Sequence, residues 1–400
     1  MTNSRFGPRA RGSNLVGVLG GDRVASVDGF GTVRPERAGW ELMWWIGADD
    51  RWHFPEQEAA VRQTLLDGMP VVCTSMRVPG GDAVHRAYGG TTTAAVVEIA
   101  NESPVPFVFG LVVRGASHLA TEGPVVVIDG RPAIAGARAP ARWALSTDGT
   151  TSQVVTGGGA RNDEFTPQRS RAARLEAALL FPVAHHTVLR FVLPLGPSYS
   201  DVVIARFPDA DQVARGWRAQ LERGMRVELP DPSLQTVVDT ARAQLLLAGQ
   251  AWMPDSEVVA ALEDWGNDSE ARSAWSRLGM LARRKAARRA PGRGSWDDVR
   301  GRAAAGDARF LNVLRSALVG EAATTIELLH DWPAEWRGLP LDVRSAPTRL
   351  GPVSYSLRWH DERVALLWEV PAGATVRIPG FDPEWSTTEP RGETLLVPSG

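Results

Sequence analysis

Apolar residues fall in short, turn-bounded runs over the first 230 positions, on a helical period from Asp231 to His330, and in short runs again to the end. In the first stretch Val96-Val97-Glu98-Ile99, Phe107 to Val113 and Val125-Val126-Val127-Ile128 are β-branched or aromatic. Asn101-Glu102-Ser103-Pro104 separates the first two, and Asp129-Gly130 closes the third as a hairpin turn would. Val188 to Leu195 reads as another strand, ended by proline and glycine. No helix of useful length intervenes, so the pattern predicts stacked antiparallel sheets rather than βαβ units. Gly157-Gly158-Gly159 reads as a surface loop, and Asp211 to Arg223 as a linking helix.

Asp231 and Pro232 open the helical stretch as cap and first-turn residue. Leu234, Val237, Val238, Ala241 and Leu245 then form one apolar stripe. A second helix is predicted from Asp255 to Trp265, stopped by Gly266, and a third after Asp268, which can cap it. A fourth opens at Ser295 in capping-box fashion with Asp298, and a fifth carries Phe310, Leu311, Leu314 and Leu318. After Asp331 the period of two returns, with Val353 to Trp359 turning through His360-Asp361-Glu362-Arg363 into Val364 to Val370. Thr375 to Ile378 and Thr394 to Val397 complete a small sheet.

The wording Leu328-Leu329-His330-Asp331-Trp332-Pro333-Ala334-Glu335-Trp336-Arg337-Gly338, the Tyr355–Trp368 hairpin and the order of the three stretches carry a likeness. Together they resemble the (α/α)-barrel glycosidases of the glucoamylase and trehalase type. That resemblance implies an N-terminal β-sandwich, a six-hairpin helical toroid holding the catalytic carboxylates, and a small closing β-module. Five helices make two antiparallel hairpins and a remainder, so the implied toroid is partial. The expected architecture is therefore a multidomain β and α chain: an antiparallel β-sandwich with linker helix over 1–230, an abbreviated helical-hairpin array over 231–330, and a β-module over 331–400. The stretch Leu262 to Asp268 matches neither catalytic-acid motif of the family, and this departure weighs against ordinary hydrolysis.

Composition narrows the classes. The 400 residues exceed what one core usually serves, and 44% apolar with 22% charged residues is ordinary for a folded chain. A formal charge of -2 gives no global pull towards nucleic acid or an anionic membrane. Cys73 is the only cysteine, which excludes an intrachain disulfide and a cysteine-based zinc site. The basic start lacks an apolar stretch behind it, and no run approaches a membrane span, so a cytoplasmic location is expected.

Candidate chemistry is sparse. Glycoside hydrolysis needs two carboxyl groups about 5–5.5 Å apart for retention or about 6.5–9.5 Å for inversion. Glu263 and Asp264, at a helix–helix turn beside Trp265, are the local candidates; the alternative is two last-turn residues beside a packed tryptophan. Fifteen tryptophans are many for this length, and the densest cluster joins Trp44, Trp45 and Trp52 to Asp49, Asp50 and His53. Stacking faces beside carboxylate acceptors would suit a sugar, whereas tryptophans at a strand and domain interface would be architecture. The other histidines are scattered or, as His185-His186, point apart on a strand, so no metal or other cofactor is expected. No nucleophile elbow, Walker A or dinucleotide signature occurs in a suitable setting. Eight cations and no acid lie between Glu270 and Asp297, among them Arg283, Arg284, Lys285, Arg288 and Arg289. That run could hold an acidic partner or be a solvated helix end.

The expected function is carbohydrate binding by a glycosidase-like scaffold without ordinary turnover. The alternatives are a hydrolase of an α-glucan or small glucoside, and an interaction protein using the basic face.

Overall fold

The structure, a computed structural model, describes residues 12–21, 23–91, 93–170, 175–196, 206–280, 283 and 294–397. The chain divides into two compact units, residues 1–215 and 216–400.

The first unit holds two antiparallel sheets. One has the strand order Asn14–Val16, Ala25–Val27, Val33–Pro35, Glu41–Gly47, Phe107–Ala116, Leu175–Val183, Arg142–Ser146, with the two-residue strand Trp52–His53 added to Glu41–Gly47. The other runs Gln168–Arg169, His118–Glu122, Val125–Ile128, Arg131–Gly136, Val188–Pro194, Ala94–Asn101, Gly81–Thr91, Val71–Val78, Arg62–Leu65. Alternation along each strand sends one set of side chains inward. Trp44, Ile46, Phe109 and Leu111 from the first sheet meet Val97, Ile99, Phe191 and Leu193 from the second in one buried core. Phe109, Phe181 and Phe191 lie within 6.4 Å of one another, centroid to centroid, at its centre. Asp129 and Gly130 both take positive φ, 52° and 79°, as a two-residue turn between twisted strands requires.

The outer face of the first sheet is also partly covered. Met43, Trp45, Val112, Ala144, Ala178 and Leu180 sit beneath Val155 of the short helix Thr151–Thr156, with Trp52 and Phe54 packed alongside. Trp52 lies over Gly47, where a Cβ would come within 2.8 Å of the indole. The sandwich thus has a second, smaller apolar layer that alternation alone does not announce.

In the second unit the helices Pro232–Ala248, Ser256–Asp264, Asp268–Arg277, Trp296–Ala303 and Ala308–Leu318 share the chain with two sheets. Asp231, Asp255, Ser295 and Asp307 each cap a helix by accepting a backbone N–H. Asp268 begins its helix instead of capping it; the cap position is Asn267. One sheet is antiparallel, in the order Arg226–Glu228, Leu341–Ala346, Val353–His360, Arg363–Glu369, Arg391–Leu396. The other runs Val319–Ala322, Thr325–Leu328, Thr375–Ile378, Asp382–Thr387.

The expected partial α/α toroid is not what forms. Residues 231–330 include the strands Val319–Ala322 and Thr325–Leu328, and the second pairs in parallel with Thr375–Ile378. Buried Arg315 donates to the Val319 carbonyl at 2.5 Å and pairs with Glu321 at 2.8 Å, and Tyr355 Oη donates to Leu318 O at 3.0 Å. The helix Ala308–Leu318 is thereby fastened to strands, and no ring of helical hairpins forms among the described residues. Among the described residues no helix is long and apolar enough to cross a membrane.

Candidate functional site: a cleft on the outer face of the sandwich

Beside the small outer layer lies a half-open cleft of about 70 Å³. Its lining includes Phe30, Met43, Phe54, Glu56, Arg114 and Glu176. The strands that frame it carry a charged row. Arg114 stands directly opposite Glu41 on one neighbouring strand and Glu176 on the other. Arg114 Nε donates to Glu176 Oε2 at 2.6 Å, and its Nη1 lies 3.5 Å from Glu41 Oε1. Arg34 then donates to Glu41 Oε2 and to Asp28 Oδ2, both at 2.8 Å. Opposite charges at facing strand positions stabilise the pairing as well as building the site.

Burial works against the Arg114 charge. The Glu176 hydrogen bond and the Glu176 and Glu41 charges outweigh it, so the guanidinium's pKa is raised above its ordinary value. Glu176 is only 5% exposed, and no described residue donates to its Oε1. A carboxylate oxygen left open at the edge of a cleft is an acceptor available to a ligand's donor.

One wall of the cleft is the loop Phe54–Gln57. His53 and Glu58 flank it and meet each other, Nδ1 to Oε1, at 3.0 Å, while His53 Nε2 lies 2.9 Å from Asp50 Oδ1. Arg51 binds both oxygens of Glu58, at 2.6 and 3.1 Å. The Arg51 hydrogen bond, followed by the Arg51 charge and His53, holds the Glu58 carboxyl below its usual range against some desolvation. The hydrogen bond to His53 likewise lowers the exposed Asp50 carboxyl. The loop is thus closed at its base by a charged clasp.

The residues singled out from sequence fall around this wall in different roles. Trp44 and Trp45 are 2% and 3% exposed and point to opposite faces of their strand, so neither offers an open ring face. Trp44 Nε1 donates to Phe30 O at 2.8 Å and its ring stacks on His85; Trp45 meets Phe54 edge-on at 5.1 Å. Trp52 is half-buried, Asp49 is exposed, and Asp50 belongs to the clasp. Trp44 and Trp45 line the cleft as buried rings, while Trp52, Asp49 and Asp50 lie outside its lining. Glu263 and Asp264 end the helix Ser256–Asp264, far along the chain in the second unit. Consecutive helical residues diverge by about 100°, so the two side chains leave the helix in different directions. Of the basic run, Arg284, Lys285, Arg288 and Arg289 lie outside the described residues; Arg283 is described and donates to Leu278 O and Ser276 O. Among the described residues no group of three or more histidines, cysteines and acids is placed to hold a metal ion.

Phe30, Glu41, Arg114 and Glu176 did not stand out in the sequence. The usable signal was a charge set inside an apolar strand run, as Arg114 follows Val112-Val113 and Glu176 precedes Ala177-Ala178-Leu179-Leu180. Register then brings residues from distant strands into one row.

No family model and no curated protein matches the chain. Among solved structures it is similar, over 60% of its length, to a family GH92 alpha-mannosidase from Bacteroides thetaiotaomicron, at 9% identity and a TM-score of 0.27. The chain spans 39% of that enzyme. A likeness of this size leaves activity to be argued from the cleft itself.

Proposed function

We propose that the first unit binds a carbohydrate at this cleft and does so without turning it over. The open Oε1 of Glu176 carries the reading, because a carboxylate oxygen beside Arg114 with no described donor suits a ligand bearing hydroxyl groups. Phe30, 43% exposed at the rim, supplies an apolar face for a sugar's C–H groups. A site that encloses a drug-sized ligand spans about 300–1,000 Å³. This cleft would take one edge or substituent of a ring, with the remainder in solvent. Glu263 and Asp264, adjacent on one helix, give no support to hydrolysis there.

Calorimetric titration with glucose, mannose and maltose, alongside Phe30→Ala and Arg114→Gln, tests the proposal. The expected result is weak binding by the parent chain, reduced severalfold by Phe30→Ala, since an aromatic contact is worth about 0.5–1.5 kcal/mol beyond its buried area. A folded parent chain that binds no saccharide at all would overturn it.

A further inference from the structure

The charges around the cleft are unequal. Asp28, Glu41, Glu56 and Glu176 face only Arg34 and Arg114, and both guanidiniums are already committed to carboxylates of this row. Glu41 is engaged through both oxygens. The acceptors left towards the opening are Glu176 Oε1, to which no described residue donates, and the exposed Glu56. Phe30, Phe54, Trp44 and Trp45 bring aromatic rings to the lining, and Arg114 its committed guanidinium. Carboxylate oxygens among aromatic rings are the two halves of an ammonium site, since a ring face attracts a cation while the acids neutralise it. An anion would meet two acids in excess and no uncommitted guanidinium.

Building on the carbohydrate reading, we propose that the cleft selects an amine-bearing ligand, an amino sugar held through its ammonium group by Glu176 and Glu56. The ammonium takes the position opposite Glu176 Oε1, and the ring's apolar side rests on Phe30. Neutral sugars keep only the hydroxyl contacts, and uronates are repelled.

Dissociation constants for D-glucosamine, N-acetyl-D-glucosamine, D-glucose, D-glucuronate and ethanolamine, measured at about pH 6 where the amine is charged, decide the matter. Glucosamine is expected to bind at least tenfold more tightly than glucose or the N-acetyl sugar, with glucuronate weakest. Glu56→Gln, at an exposed position, should erase much of that preference without touching the fold, and Glu176→Gln should erase more. Added salt should narrow the gap through screening. Equal affinities for glucosamine and glucose would overturn the ammonium assignment while leaving carbohydrate binding standing. Binding of ethanolamine and glucosamine alike, with no response to glucose, would uphold the ammonium site and remove the carbohydrate reading. Tighter binding of glucuronate would overturn the charge argument outright.

Discussion

His85 lies stacked against Trp44, ring centroids 5.3 Å apart and planes 19° from parallel, in the interior of the sandwich. Its Nδ1 has no hydrogen-bond partner, and burial drives its pKa down to about 4, with Asp28 as the nearby charge pulling the other way. The neutral ring is therefore the folded form. Because the folded-state pKa is depressed below the unfolded value, stability is full above about pH 6.5 and falls between there and about pH 4. The loss from this one group is roughly 3 kcal/mol. Urea unfolding across that range should show the slope, and His85→Phe should flatten it.

The clasp at the base of the Phe54–Gln57 loop acts locally. Glu58→Gln removes a carboxylate that Arg51 and His53 share. Hydrogen exchange at residues 54–57 should quicken, while global stability changes by less than about 1 kcal/mol, as for other exposed pairs. Acidification should have the same local effect. Both Glu58 and Asp50 have lowered pKa values, so their contribution persists above the usual carboxylate range and disappears as pH falls through the lowered values.

Gly89 admits no side chain. A Cβ there would stand 1.9 Å from the carbonyl oxygen of Gly17, a backbone atom with no rotamer to yield. Gly89→Ala should cost about 3 kcal/mol or more through overpacking. A melting temperature within a degree or two of the parent would contradict this.

Trp265, completely buried at the end of its helix, donates Nε1 to Leu311 O at 3.1 Å beneath the guanidinium of Arg242. Trp265→Phe removes a second donor from a carbonyl that keeps its intrahelical partner, and opens a void. The expected loss is about 1–3 kcal/mol. Binding at the cleft, in the other unit, should be unchanged.

Maltose, trehalose and starch should yield no glucose on incubation with the parent chain. Release that disappears in Glu263→Gln or Asp264→Asn would restore hydrolysis and place it in the second unit.

Local grammar in the sequence was readable where the cause is local. Asp231, Asp255 and Ser295 cap the helices whose starts they mark, and the hairpin Val353–His360 with Arg363–Glu369 follows its alternation. The strands Val319–Ala322 and Thr325–Leu328 were hidden inside a stretch read as helical, because their partners lie partly beyond residue 370. The cleft was hidden for the same kind of reason. Glu41, Arg114 and Glu176 become neighbours only through register, while the tryptophan-rich string that drew attention spends most of its surface on packing.

The parallel pairing of Thr325–Leu328 with Thr375–Ile378 has a kinetic consequence. An antiparallel hairpin can zip from its own turn, but this pair must close a long loop before its first hydrogen bond forms. That entropy falls due early, and contacts of high sequence separation slow folding. The helices from Pro232 to Leu318 can gather soon after synthesis, yet the Thr325–Leu328 edge stays open until residues near Thr375 arrive. During that interval the exposed strand edge is open to pairing with another copy of the chain.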